Sequence, residues 1–270
     1  DRVPEIKLHS MKIKFHKYQG TGNDFIILDN RNGEYNELGH DLINKLCDRH
    51  FGIGADGLMM LKKNTSYDFE MQYFNADGKP GSMCGNGGRC MVKYVYNLGI
   101  HQYTYKFLAS DGPHEAELDN HWIRLKMNDV KEIEEHSSHV VLNTGSPHIV
   151  KFANDVENID VVETGREIRY SKRFMPDGIN VNFVEGTGED SIFVRTYERG
   201  VEDETLSCGT GVTAAALVSA HNPRGFNRVD VKTTGGNLSV EFTKTDDTHF
   251  ENIWLCGPAE FVFEGEIQIP

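Results

Sequence analysis

The sequence lacks an excess of basic residues, a long apolar run and the usual metal-binding spacings. Its 28 lysines and arginines are outnumbered by 41 aspartates and glutamates, so the net charge is −13. We therefore expect no nucleic-acid partner, which would need a basic surface. No apolar run approaches the ~20 residues that cross a bilayer, so we expect no membrane insertion. There is no HExxH and no Cys/His cluster at zinc-finger spacing, and we expect no metal.

Cysteine is also scarce. The five residues are odd in number, scattered and without a CxxC pair, which is typical of reduced thiols in a cytoplasmic protein. The glycine-rich loops match neither GxxxxGK[ST] nor GxGxxG, so they do not indicate a nucleotide. No lysine has a context that indicates a pyridoxal Schiff base. We expect no cofactor.

Two segments, 83–92 and 207–216, share one pattern. In each, a lone thiol, Cys84 or Cys208, precedes a glycine-rich turn that leads into a helix-forming stretch. A thiol at a helix N-terminus lies in the positive end of the helix dipole, which predicts a lowered pKa. The free backbone N–H groups of the same turn can bind a carboxylate. The alternative for Cys84 and Cys208 is that each is simply a small buried side chain. We interpret Cys47, Cys90 and Cys256 in that way.

The two segments belong to a longer internal repeat. Residues 22–26 resemble residues 145–149, and residues 74–77 correspond to residues 197–200, both at an offset of 123. At an offset of 124, Cys84 corresponds to Cys208, and the pair Gly112 and Glu117 corresponds to Gly236 and Glu241. Chance alignment of glycine-rich turns is the alternative. The constant offset favours two similar domains of about 120 residues, close to the usual domain size.

Most of the chain is predicted to form strands, so the fold class is α+β and mostly β. Period-two alternation or short apolar runs predict strands at 12–16, 25–29, 69–74, 103–107, 123–127, 192–196, 238–242 and 261–267. Helices are predicted at 38–49, after Cys84 up to Gly99 as the C′ glycine, and after Cys208 up to Asn222-Pro223. The last helix is apolar nearly all round, which predicts burial inside a sheet.

The domain boundaries follow from these elements. Residues 1–10 have the character of a non-native leader before Met11. The first domain is predicted at 11–128 and the second at 129–257, with the seam near 127–131.

These residues resemble the diaminopimelate epimerase family. The resemblance rests on motifs that follow the family's order from Met11 to the C-terminus, at 22–25, 74–78, 84–87, 197–200 and 208–211. Proline racemase is a poorer match because its first motif has histidine where Asn86 stands. The resemblance implies two domains, each a β-barrel-like sheet around a central helix, with the active site in the cleft between them. The C-terminal strand, 258–270, would return to the first domain.

The resemblance also implies roles for individual residues. Cys84 and Cys208 would be the two acid/base groups, and His148 and Glu198 would tune their pKa values. The implied substrate-binding residues are Asn23, Asn75, Gly85, Asn86, Asn180, Glu198, Arg199, Gly209 and Thr210. The implied reaction interconverts LL- and meso-diaminopimelate without a cofactor, in the synthesis of lysine and peptidoglycan precursors. The implied location is the cytoplasm, and a homodimer is left open.

Two positions depart from the family's common pattern. Gly57 stands where many members have glutamine, and Ser146 stands where asparagine is usual. Both changes shorten the side chain, so we assign neither residue as a ligand; a water or a neighbouring group could replace the lost contact. Two other functions remain open: an amino-acid-binding protein without chemistry, and an epimerase of proline or hydroxyproline.

Overall fold

The computed structural model describes residues 11–81, 83–119 and 122–269. The expected leader at residues 1–10 lies outside this part of the chain. Within it, seventeen strands form one continuous hydrogen-bonded sheet, with four α-helices and one short 3-10 turn. The mostly β, α+β fold class is confirmed.

The first half of the chain builds a sheet around a central helix. Strands β2 and β3 are parallel and connected through α1, whereas β4 and β5 are parallel and connected through α2. The elements are β1 (Met11–Gly20), β2 (Asn23–Asp29), α1 (His40–Cys47), β3 (Gly57–Lys62), β4 (Phe69–Asn75), α2 (Gly85–Asn97), β5 (Thr104–Ala109), β6 (Gly112–Asp119) and β7 (Trp122–Lys126).

The second half repeats this order. Strands β10 and β11 are parallel and connected through α3, and β12 and β14 are parallel and connected through α4. The elements are β8 (Ile133–His136), β9 (His139–Asn143), β10 (Pro147–Phe152), the 3-10 turn (Val156–Asn158), α3 (Val161–Arg169), β11 (Asn180–Gly188), β12 (Ser191–Glu198), β13 (Asp203–Thr205), α4 (Gly209–Val218), β14 (Gly225–Thr233), β15 (Gly236–Lys244), β16 (Phe250–Gly257) and β17 (Glu260–Ile269).

Strand register confirms the repeat that the sequence predicts. Phe25 pairs with Gly57 in the first half and His148 pairs with Asn180 in the second, so both partners are shifted by 123 residues. The turns agree as well, because Gly22 and its counterpart Gly145 have φ of +85° and +109°. Such values favour glycine. The two halves therefore share the same strand pairing and the same turn conformation at these positions.

Two pairings join the halves. Strand β7 pairs antiparallel with β16, and β17 returns to pair antiparallel with β1 from Met11 opposite Ile269. The return of the C-terminal strand was implied by the resemblance. The sheets wrap around α2 and α4 without closing into barrels, so the barrel-like description is loose. The boundaries 11–128 and 129–257 stay a prediction.

The helices differ in detail from the sequence predictions. Helix α1 is shorter than 38–49 and α4 ends at Val218 rather than near Asn222, because the Ser219 hydroxyl bonds back to the carbonyl of Ala215. Helix α3 was missed, although Asp160 accepts a hydrogen bond from the N–H of Glu163. This N-cap arrangement is readable from sequence. Helices α2 and α4 both pack in the main hydrophobic core, as predicted for α4.

Candidate active site

The two thiols occupy the same place in the two halves. Cys84 is the N-cap of α2 and Cys208 is the N-cap of α4, each with an extended backbone. The N–H groups of Gly88 and Val212 close the first helical turns onto the carbonyls of these cysteines. The preceding N–H groups of both helices, including those of Gly85, Asn86, Gly209 and Thr210, therefore have no partner within their helix.

The two helix N-termini face each other. A Cβ built on Gly209 would lie 3.5 Å from the Cα of Gly85, and one built on Gly85 would lie 3.8 Å from the Cα of Gly209. These are ordinary contact distances, and the tighter neighbour of both positions is Cδ2 of Leu255, 3.1 Å from a Cβ on Gly85 and 3.0 Å from one on Gly209. The structure thus brings the positive ends of two helix dipoles to one point in the cleft between the halves.

Burial decides the protonation of both thiols. It raises the pKa of Cys84 against the opposing effect of backbone N–H groups at Gly87 and Asn86, and it raises the pKa of Cys208 as well. The nearby carboxylate of Glu198 adds to the rise at both thiols. Our expectation of a lowered thiol pKa is therefore wrong for this structure, because desolvation outweighs the helix dipole. Both cysteines are free thiols.

A chain of polar groups leads to Cys208. The Asn182 amide donates to Nδ1 of His148 at 3.1 Å and also to the carbonyl of Ile149, while its oxygen accepts from Thr196. Nδ1 is therefore the acceptor, and Nε2–H of His148 donates to Oγ1 of Thr210 at 2.9 Å. The Thr210 hydroxyl lies 3.5 Å from Sγ of Cys208.

His148 is neutral in this chain of bonds. Complete burial, with a smaller effect of the nearby Arg199 cation, lowers the pKa of His148 to about 3. The imidazole can therefore orient Thr210 but cannot act as a cation beside the thiol at neutral pH.

A different set of groups surrounds Cys84. Its thiol lies 3.5 Å from Oδ1 of Asn23, which also accepts from the Asn86 amide at 3.3 Å. The same Asn86 amide donates to the carbonyl of Ser207 at 3.0 Å, which links the two halves. Asn23 in turn donates to Asp56 at 2.7 Å. Asn75 lies at the end of β4, opposite Gly57.

Sequence reasoning missed Arg89. Its side chain is 0% exposed and donates to four neutral oxygens: the carbonyls of Gly85 and Pro258, the Asn86 amide oxygen and the Thr21 hydroxyl. Among the described residues it has no ion-pair partner, and burial lowers its pKa. A buried guanidinium thus lies under the N-terminus of α2. The available signal was an arginine two residues after the Cys84-Gly85-Asn86-Gly87 turn.

The remaining predicted residues form a second cluster in the C-terminal half. The Asn180 amide donates to Ser146 at 2.8 Å and to the carbonyl of Pro147, and its oxygen accepts from the N–H of Arg199. The Arg199 guanidinium donates to the Asp177 carbonyl at 3.2 Å and to Ser146 at 3.5 Å. Among the described residues its hydrogen-bond partners are neutral oxygens, so the guanidinium is able to receive a carboxylate.

Glu198 lies on the thiol side of this cluster. Its carboxylate accepts a hydrogen bond from Thr205 at 3.0 Å. Burial raises the pKa of Glu198, with a further rise from the charge of Asp56.

The described residues contain neither a metal-binding cluster nor a helix that could span a membrane. No group of three or more histidine, cysteine or acidic side chains in these ranges could hold a metal ion. No helix in the same ranges has the length and apolar character needed to cross a membrane.

Comparison with known solved structures supports the fold. A phenazine biosynthesis protein of the PhzF family from Bacillus anthracis superposes with a TM-score of 0.75 at 15% identity, covering 96% of this chain and 100% of that one. A hydroxyproline epimerase from Agrobacterium vitis, solved with trans-4-hydroxy-L-proline, gives a TM-score of 0.69 at 12% identity, covering 96% and 93%. At these identities the likeness shows the fold alone.

Sequence comparison gives the family. The chain is 49% identical to the diaminopimelate epimerase of Flavobacterium psychrophilum, covering 94% of this chain and 100% of the relative. It is 44% identical to that of Chlorobaculum tepidum, covering 93% and 99%. The family model described as diaminopimelate epimerase matches residues 15–133 and 140–262. The resemblance stated from the motifs is confirmed, and the chain belongs to the diaminopimelate epimerase family.

Proposed function

We propose that this chain interconverts LL- and meso-diaminopimelate, using Cys84 and Cys208 as the two acid/base groups and no cofactor. The observation that carries the proposal is the meeting of two helix N-termini, each with a free cysteine as its N-cap residue. Family membership supports the substrate, because the matched relatives are named for it. The reaction belongs to the synthesis of lysine and peptidoglycan precursors in the cytoplasm, and the enzyme works alone or as a homodimer.

Epimerisation removes the α-proton from one face of the carbon and returns a proton to the other face. One cysteine, as thiolate, takes the proton, and the opposite cysteine, as thiol, supplies the new one. The reverse reaction exchanges the two roles. An amino-acid-binding protein without chemistry would not need two thiols at one carbon.

The difficult step is the formation of the carbanion, because the α-proton is a weak acid. The amides of Gly85, Asn86, Gly209 and Thr210 would hold the substrate carboxylate at the junction of the two helices. Donors fixed before the reaction stabilise negative charge as it develops, and losing one such donor typically costs about 3–4 kcal/mol of barrier. The buried Arg89 adds positive potential below the same point.

The raised thiol pKa values fit a proton shuttle. A thiolate that is destabilised by burial is a stronger base toward the α-carbon than one at an ordinary pKa. His148 would hold Thr210 in position beside Cys208, and Glu198 would set the charge near both thiols.

Specificity belongs to the other end of the substrate. Arg199 would bind the distal carboxylate and Glu198 the distal ammonium group, with Asn23, Asn75 and Asn180 completing the polar lining. A site built to pair such groups discriminates against substrates that lack them. We assign Ser146 no substrate contact; its hydroxyl accepts hydrogen bonds from both Asn180 and Arg199 and so holds these two side chains together.

Chiral chromatography of purified protein with LL-diaminopimelate, L-proline and trans-4-hydroxy-L-proline tests the proposal. We expect meso-diaminopimelate to form without added pyridoxal phosphate, and the two cyclic substrates to stay unchanged. Turnover of a cyclic substrate alone would favour a proline-type epimerase. Binding of diaminopimelate without turnover would favour a binding protein.

A further inference from the structure

The repeat exposes a position where the two halves differ. Gly57 begins β3 and corresponds, at the offset of 123, to Asn180 at the start of β11. In the C-terminal half the Asn180 side chain lies in the cluster with Ser146 and Arg199. In the N-terminal half the equivalent point on the cleft has no side chain of its own.

The ring of Tyr73 occupies the space beside Gly57. In the antiparallel pairing of β3 and β4, Met59 lies opposite Tyr73 and Gly57 lies opposite Asn75, so Tyr73 and Gly57 are diagonal neighbours on one face. A Cβ built on Gly57 would lie 2.6 Å from Cε2 of Tyr73 and 2.8 Å from both its hydroxyl oxygen and the backbone carbonyl oxygen of Phe74. A side chain at 57 would therefore need the Tyr73 ring to leave this position and the backbone at Phe74 to shift as well.

Packing holds the ring in this place. Its edge-to-face contact with Phe25 has a centroid distance of 6.2 Å. On another side, a Cβ on Gly81 would lie 2.8 Å from Cδ1 and Cε1 of Tyr73. Gly57 and Gly81 thus leave room for the Tyr73 ring, and the contact with Phe25 sets the orientation of that ring.

The hydroxyl of Tyr73 has no hydrogen-bond partner among the residues that the structure describes. Burial raises its pKa, and the charges of Cys84, Glu198 and Asp56 raise it further. The phenol is therefore protonated, and the charged groups around it are all acidic. A neutral oxygen among acidic groups is suited to accept a hydrogen bond from a cation.

We propose that the Tyr73 hydroxyl binds an ammonium group of the substrate, beside Glu198, in the place that a longer side chain at position 57 would otherwise take. The inference rests on the function proposed above and adds a residue to it. In the N-terminal half this substrate contact would come from Tyr73 on β4, whereas in the C-terminal half the proposed contact comes from Asn180 on β11.

The variant Tyr73→Phe removes only the oxygen. We expect KM for diaminopimelate to rise about tenfold or more, the loss of one hydrogen bond to a charged group, while kcat changes much less and the melting temperature is kept. Tyr103→Phe, at an exposed tyrosine of the same half, is the matched control. Wild-type activity with an unchanged KM in Tyr73→Phe would overturn this role alone. An inactive wild type would overturn the proposed function and this role together.

Discussion

The two halves share a backbone and a cysteine but support that cysteine with different groups. In the C-terminal half, Thr213 donates to the carbonyl of Gly209 at 2.9 Å, and neutral His148 orients Thr210 beside the thiol. In the N-terminal half, Arg89 stands at the position of Thr213 and donates to the carbonyl of Gly85 at 3.3 Å. Phe25 stands at the position of His148.

The internal repeat therefore preserves the backbone geometry at the two helix starts, while the charged and polar groups around the two thiols differ. Both helix starts have glycine after the cysteine, where a Cβ would press on Leu255. The two halves contribute different charges: the N-terminal half places the buried Arg89 cation at its helix start, and the C-terminal half places the Glu198 carboxylate near both thiols. The two helix starts therefore share a geometry and differ in the charges around them.

Removing either thiol should have the largest effect, because each thiol serves one face of the substrate carbon in the proposed mechanism. Cys84→Ala and Cys208→Ala each leave one face of the carbon without a proton donor, so we expect epimerisation to fall by several orders of magnitude. The fold should persist, because each change removes one atom. The rate of meso-diaminopimelate formation and the melting temperature are the measurements. Cys47→Ala, a buried cysteine in α1, is the control, and wild-type turnover in either active-site variant would refute the two-base mechanism.

Removing the Arg89 cation should show how much the charge difference between the two halves contributes to catalysis. Arg89→Met keeps an apolar stem and deletes the charge, and we expect kcat to fall about 100-fold, the scale of one preorganised electrostatic group. Arg89→Lys should recover part of kcat. If both variants had equal kcat and equal melting temperatures, Arg89 would act through packing rather than charge.

The cluster of Asn180, Ser146 and Arg199 lies in the C-terminal half and can be tested separately. Arg199→Ala should raise KM for diaminopimelate and lower kcat/KM about tenfold to 100-fold, because distal binding energy also positions the reacting carbon. Steady-state kinetics give both constants. Arg224→Ala, at an exposed arginine paired with Asp247, should behave as wild type. An intact kcat/KM in Arg199→Ala would remove this residue from the substrate site.

His148 should make the C-terminal half the acid-sensitive one. Its pKa is about 3 in the fold against 6.5 for the free side chain, so the unfolded chain binds the extra proton. The contribution to stability is complete above about pH 6.5 and is lost as pH falls, by about 1.4 kcal/mol per pH unit. Urea unfolding at pH 7.5 and 5.5 measures it. The loss should be smaller in His148→Gln, and an equal loss in both proteins would contradict a buried neutral imidazole.

The sequence predicted the repeated parts of the molecule well. Gly22 and Gly145, or Cys84 and Cys208, recur at a fixed offset because the same turn and helix start need the same residue types. It predicted less where a tertiary contact decides the outcome. The end of α4 depends on how Ser219 bonds to Ala215, and the raised thiol pKa values depend on burial. The burial of Arg89 likewise depends on tertiary packing, because its side chain is covered by residues distant in the sequence, such as Thr21 and Pro258.

The central claim is that two different thiols serve the two faces of one carbon, and solvent deuterium tests it most directly. LL-diaminopimelate is converted in deuterated water to a few per cent, and substrate and product are then separated and examined by mass spectrometry. Two thiols that exchange with solvent should place one deuteron at the inverted carbon of the product and leave the recovered substrate unlabelled. Product that keeps the original proton would show that one group serves both faces, and would contradict the account.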